Sequence, residues 1–184
     1  MNVSDKVHVI FAVIKVGKRG RNVEIKAKAN WLLVCWGDDS YTLAGMHTYE
    51  KEGVYQVIIG GSDITELDIT AGCCLRLDMN ICPTLKMLIC NFRQLDRLNL
   101  TGCCGLEILV CSFCQLPDLE LKSVLHLKQL LCRNNRLETL DVSECEELTV
   151  LDCSYNKLRQ LNVSGCNKLK RLLYEQNPID KISG

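Results

Sequence analysis

Thirteen cysteines stand among the 184 residues of this chain, and thiols at that density admit three kinds of chemistry. They can pair as a disulfide scaffold, hold a metal, or act as activated thiolates. Cys111 and Cys114 form a lone CxxC, the spacing that metal and redox sites use. No second CxxC and no nearby histidine completes a four-ligand set, and His126 falls at the end of a sequence unit. The adjacent pairs Cys73–Cys74 and Cys103–Cys104 point to opposite sides of an extended chain. Asp38, Asp39 and Asp63 are candidate calcium ligands; acidic residues in turns more often serve the turn itself. His47 and Tyr49 are of catalytic type. Even so, no nucleophile elbow, phosphate loop, HExxH or paired-carboxylate arrangement accompanies them. The expectation is a non-catalytic protein with no cofactor and no metal.

The elements that must position the thiols are set by a ruler. Leu67, Leu88, Leu109, Leu130, Leu151 and Leu172 recur every 21 residues. A fixed period in the range of about 20 to 30 residues signals a solenoid. Units begin at Leu85, Leu106, Leu127 and Leu148, with a degenerate copy from Ile64 and an incomplete one from Leu169; they read LxxLxCxxNxLxxLxVSxCxx. Within 148–158, alternation places Leu151 and Cys153 inward from a short strand. Asn156 then turns the chain, and an inward Asn can satisfy turn backbone that no ladder reaches. Asn135, Asn156 and Asn177 are expected to stack in that role. Leu158, Leu161 and Val163 return along a side too short for a full helix, so that side is expected to be extended or 3₁₀.

The ruler also sorts the cysteines. Cys90, Cys111, Cys132 and Cys153 share one core slot, and Cys82, Cys103, Cys145 and Cys166 share another. They read as small buried hydrophobes. Parallel side chains about 4.8 Å apart rarely reach disulfide torsions, so reduced thiols are expected.

This unit resembles the leucine-rich repeat family, LxxLxLxxNxL, with Cys at the third core position, over the stretch from Ile64 onward. The resemblance implies a right-handed, mostly β solenoid of about six repeats. Before it, 7–16, 23–29 and 31–36 read as strands, with a basic hairpin tip at 17–22. The order Trp36-Gly37-Asp38-Asp39, His47-Thr48-Tyr49 and Gly53-Val54-Tyr55-Gln56-Val57 is similar to the polycystic-kidney-disease-like (PKD-like) β-sandwich, WGDG…HTY…GxYxV, with Asp39 in place of the last Gly. In that family His47 and Tyr49 would be structural. The pairing of the two resembles repeat proteins of Bacteroidetes type. The expected organisation is a capping β module at 1–62 and a solenoid at 63–184 whose last repeat is incomplete. No Pro- or Ser-rich linker separates them, so the module is expected to be fused to the first repeat, since an open first rung needs a cap.

Composition excludes several classes. The formal net charge is zero, which is no nucleic-acid footprint, and the basic tip Lys18, Arg19 and Arg21 reads as solvated. No membrane span is expected, and the apolar run at 7–16 reads as a strand rather than a signal peptide. If Met1 is the native start the chain is expected to be cytoplasmic; if a leader was removed, secreted or at the cell surface.

The repeat fixes which residues face outward on the concave sheet. Met87, Ile89, Ile108, Val110 and Leu131 flank the core leucines, and Phe92, Phe113, Asn134 and Tyr155 occupy the strand exit. Asp152 is placed on the same open face. Contiguous exposed apolar surface with aromatic anchors suits a protein or peptide partner. Alternatively, the chain itself covers these residues. A second function class is a cell-surface carbohydrate-binding or adhesion protein, for which Trp31 and Trp36 are better read as core. The unfinished last unit predicts self-association into a homo-oligomer through the C-terminal edge.

Overall fold

The 21-residue spacing of the leucines becomes the spacing of strands stacked in register. Leu67 lies opposite Leu88, Leu88 opposite Leu109, Leu109 opposite Leu130, Leu130 opposite Leu151, and Leu151 opposite Leu172. The computed structural model describes residues 7–17, 22–43, 45–71, 73–91 and 94–184. Every regular element among them is a strand.

In chain order these are β1 (Val7–Val16), β2 (Asn22–Lys28), β3 (Trp31–Cys35), β4 (Tyr41–Thr42), β5 (Met46–Thr48), β6 (Gly53–Ser62), β7 (Glu66–Ala71) and β8 (Cys74–Ile81). The short repeat strands follow: β9 (Met87–Ile89), β10 (Arg97–Asn99), β11 (Ile108–Val110), β12 (Gln129–Leu131), β13 (Thr139–Asp141), β14 (Val150–Asp152), β15 (Gln160–Asn162), β16 (Arg171–Leu173) and β17 (Lys181–Ser183). One eight-stranded sheet runs β16-β14-β12-β11-β9-β7-β2-β5; it carries the outward residues that flank the core leucines. The opposite wall is split into a six-stranded sheet, β10-β8-β1-β6-β3-β4, and a three-stranded one, β13-β15-β17. The fold is a leucine-rich β solenoid whose two walls enclose an aliphatic and thiol core.

Each rung repeats the same polar solutions. Asn135 donates from Nδ2 to the carbonyls of Cys111 (2.8 Å) and Cys132 (3.0 Å), and its Oδ1 accepts from Leu116 N–H at 3.1 Å. Asn156 and Asn177 do the same one and two rungs on. The expected asparagine column is therefore present. At the outer corner, Asn99, Asp141 and Asn162 each accept from the N–H and hydroxyl of the residue two positions on. These local bonds close a turn without help from a ladder. The return side is extended, as expected, except in one unit.

That exception is the unit containing Pro117. Its slot is held elsewhere by Asp96, Glu138, Arg159 and Asp180, and the N–H groups of Asp96, Arg159 and Asp180 donate to the preceding rung at 2.9–3.0 Å. Proline has no N–H to give. Residues 118–120 form no strand, and the outer wall is interrupted between β10 and β13.

The N-terminal strands extend both walls. β8 pairs with β1 antiparallel and β10 parallel, while β7 pairs with β2 antiparallel and β9 parallel. Trp36 and Tyr49 are fully buried, and the Tyr49 hydroxyl donates to the Trp36 carbonyl at 2.8 Å. Asp39 takes φ 66° beside Gly37 at 81°, so the turn persists with Asp in the glycine position, a conformation that Asp tolerates. Trp31 corrects the sequence reading: it is 44% exposed, because its alternation in β3 turns it away from the core.

Candidate recognition face

The state of the thiols decides whether the site is chemical. All thirteen are free. The two expected columns are buried. Burial pushes Cys90, Cys111 and Cys132 well above the ordinary thiol range, and pushes Cys153 up to about 12. Thiols held in the neutral form are poor nucleophiles and poor ligands. Cys114 fills the asparagine slot of its unit, directing Sγ at the carbonyls of Cys90 (3.3 Å) and Ser112 (3.5 Å). The CxxC is thus a packing motif.

The acidic candidates are not gathered either. Asp38 lies 2.7 Å from His47 Nε2 and accepts from Ser40, whereas Asp63 accepts from Asn30 at 2.8 Å. Burial raises the Asp38 carboxyl, but the bonds from Ser40 and His47 outweigh it and hold the group below its ordinary value. His47 stacks on Trp36 with ring centres 5.0 Å apart and meets Tyr49 edge-on, so this trio holds a turn. Among the described residues no group of three or more His, Cys, Asp or Glu is placed to hold a metal.

The outward residues of the eight-stranded sheet form the remaining candidate. Met87, Ile89, Ile108, Val110 and Leu131 are half-buried, lying side by side across β9, β11 and β12. Met87 and Ile89 border a groove of about 340 Å³ that continues over Lys26, Lys28, Glu66 and Asp68, so the N-terminal strand β2 widens this face. Phe92 and Arg93 lie outside the described residues. Asp152 corrects the sequence reading: it is buried, accepting from the backbone N–H and hydroxyl of Ser154. On the rim, Lys86 and Lys128 from neighbouring rungs clamp Glu107 at 3.0 and 2.6 Å.

The strand exit is the most distinctive part. Phe113, Asn134, Tyr155 and Gln176 all sit at φ between 54° and 59°. Each of the first three donates its N–H to the next rung, at 2.8–3.0 Å, so the ladder holds the left-handed kink in place. Asn accepts this conformation readily; an aromatic residue is strained there by about 1–2 kcal/mol. The kink throws the rings outward, leaving Phe113 53% and Tyr155 49% exposed. Between them stands Arg133, its guanidinium carbon 5.5 Å from the Phe113 ring centre and 5.2 Å from that of Tyr155. Its buried Nε has no hydrogen-bond partner, and no salt bridge reaches Arg133 among the described residues. Sequence reasoning placed the rings and missed this bracket, although the signal was there: Arg133 directly precedes Asn134, the exit residue of the rung between the two aromatic exits.

No family model and no curated protein matches the sequence. Among solved structures, the chain is similar to the functional domain of InlJ from Listeria monocytogenes, described as including a cysteine ladder. The likeness has 25% identity and a TM-score of 0.49, over 54% of this chain and 27% of that one. The chain thus spans about a quarter of that structure's length.

Proposed function

We propose that this protein is a non-catalytic recognition scaffold that binds a protein or peptide through the outward face of the eight-stranded sheet. One observation carries the reading: an arginine without an ionic partner is held between two strained, exposed aromatic rings at the end of a half-exposed apolar row. Aromatic and Arg side chains are the usual interface anchors. The guanidinium, reached by no ion pair among the described residues, can offer its terminal nitrogens to a carboxylate, which accepts two parallel N–H bonds. The partner would lay an apolar segment along Ile89, Val110 and Leu131 and present an acidic group to Arg133. Strain at the aromatic positions fits a site kept for binding rather than for stability. No catalytic role is proposed, because the thiols of the two columns are buried and the His47 cluster braces a turn.

The test is selection of binding peptides from a displayed library against the whole chain. Peptides that engage this face should be rich in acidic and apolar residues. They should weaken at least about tenfold against Phe113→Ser and Arg133→Glu with the circular dichroism spectrum unchanged. Peptides that bind these variants as tightly as the parent would discard the site.

A carbohydrate-binding reading draws on the exposed Trp31. Its ring lies over Gly60, with Ser62 opposite Trp31 and Leu33 opposite Gly60 in the register, a surface with few of the polar groups that would fix a sugar. A glycan array decides it, since a specific hit lost in Trp31→Ala would favour this reading over the first.

A further inference from the structure

The strands β1 and β3 have the composition of strands covered on both faces. In β1, Ile10, Ala12, Ile14 and Val16 point into the core, while Val7, Val9, Phe11 and Val13 alternate outward. Strands that are apolar in both registers belong in the middle of a layered fold. Here one layer is missing. Phe11 lies opposite Ile58, Ile58 opposite Cys35, and Cys35 opposite Tyr41, giving one outward row across four strands. Val9, Gly60 and Leu33 make the next row, and Trp31 lies across Gly60 with its ring 3.9 Å from where a side chain would begin. Phe11 is 47% exposed and Tyr41 73%. The face is apolar along these two rows and lies outside the recognition sheet.

Its size and charge say what covers it. Aromatic side chains bring about 150–250 Å² each, so three of them half-exposed together with Val7, Ile58 and Ile81 offer on the order of 600–800 Å². A standard interface takes about 800 Å² from each partner. Charge appears only at the border in this set of rows, with Lys15 opposite Val54, and Arg76 and Asp78 opposite Val13 and Phe11. A second copy laid on this face therefore meets no like charge at the centre, and it brings an apolar sheet face of the same extent. Two antiparallel sheets stack in this manner about 10 Å apart with their side chains interdigitated.

We propose that the outward face of β1, β6, β3 and β4 is a homodimer interface, closed face to face around a two-fold axis near Ile58 and Gly60. The contact is isologous, so it stops at two copies. It leaves Phe113, Arg133 and Tyr155, on another sheet, free for a partner.

Sedimentation of the whole chain over a wide concentration range tests it. The expected result is a monomer–dimer equilibrium, weakened about thirtyfold or more in Phe11→Thr/Ile58→Thr. Threonine keeps the strand preference of these positions, and circular dichroism checks the fold. Cys35, exposed within the face, reports independently, because its alkylation should slow as concentration rises while that of exposed Cys104 does not. A strict monomer at high concentration overturns the proposal, as does a dimer untouched by the double variant. Monomers that co-sediment with phosphatidylcholine vesicles would assign the face to a lipid surface and likewise overturn it.

Discussion

Arg133 and Tyr155, residues of adjacent rungs, stack guanidinium over ring at 5.2 Å, with Phe113 closing the other side. The contact helps to hold the arginine extended without neutralising it. Replacing Arg133 by Gln should cost stability by no more than about 1 kcal/mol, the range of an exposed cation–π contact. It should nevertheless abolish binding of the acidic peptides. Urea denaturation alongside a binding titration separates the two effects, and a large stability loss would make Arg133 structural.

The strained exits make the opposite prediction for stability. Tyr155→Asn puts a residue at φ 57° that adopts it willingly, and should stabilise the fold by about 1 kcal/mol while weakening the partner. Thermal unfolding and peptide affinity should move in opposite directions.

Asn156 is bonded to the carbonyls of Cys132 and Cys153 and to the N–H of Leu137 inside the core. Asn156→Ala should destabilise by about 3 kcal/mol, since several buried groups lose their partner together. Asn156→Cys should cost less, because Cys114 already serves in that slot with Sγ on the Cys90 carbonyl. Equal losses in the two variants would refute the role given to Cys114.

Alkali should unfold the protein through its thiols. Burial lifts Cys145 to about 11 and Cys74 and Cys153 to about 12, against an ordinary 9.0. The folded state therefore keeps protons that the unfolded chain releases. Stability from these groups is complete below about pH 9 and falls from there through pH 11–12, by about 1.4 kcal/mol per pH unit for each thiol. A pH series of urea midpoints checks the slope. Thiol titration adds a second check, with Cys35 and Cys104 reacting in the native protein and all thirteen after denaturation.

Much of this architecture is legible in the sequence because the period is so strict. Leu88, Leu109 and Leu130 cannot keep a 21-residue spacing in short strands without stacking in register, and the cysteines and asparagines follow from their offsets to them. What stays hidden depends on features that a period does not encode. Asp152 shares its column with outward residues, yet Ser154, two positions on, folds its carboxylate inward. Trp31 looks like core by residue type, and only the pairing of β3 with β6 shows which face it takes. The Arg133 bracket needs the left-handed φ of Phe113 and Tyr155, and nothing in their residue types suggests that conformation.

Pro117 has a mechanical consequence. With no donor in the slot filled elsewhere by Asp96 and Arg159, the outer wall is two panels, and a gap of about 820 Å³ opens beside β10. At that rung the load-bearing cross-section shrinks to a single continuous layer, the β11–β12 stretch of the eight-stranded sheet. With one hydrogen-bonded wall in place of two, the coil should bend more readily there, one rung from Arg133, so a partner that pulls on Phe113 and Tyr155 would act beside a point set by one imino acid.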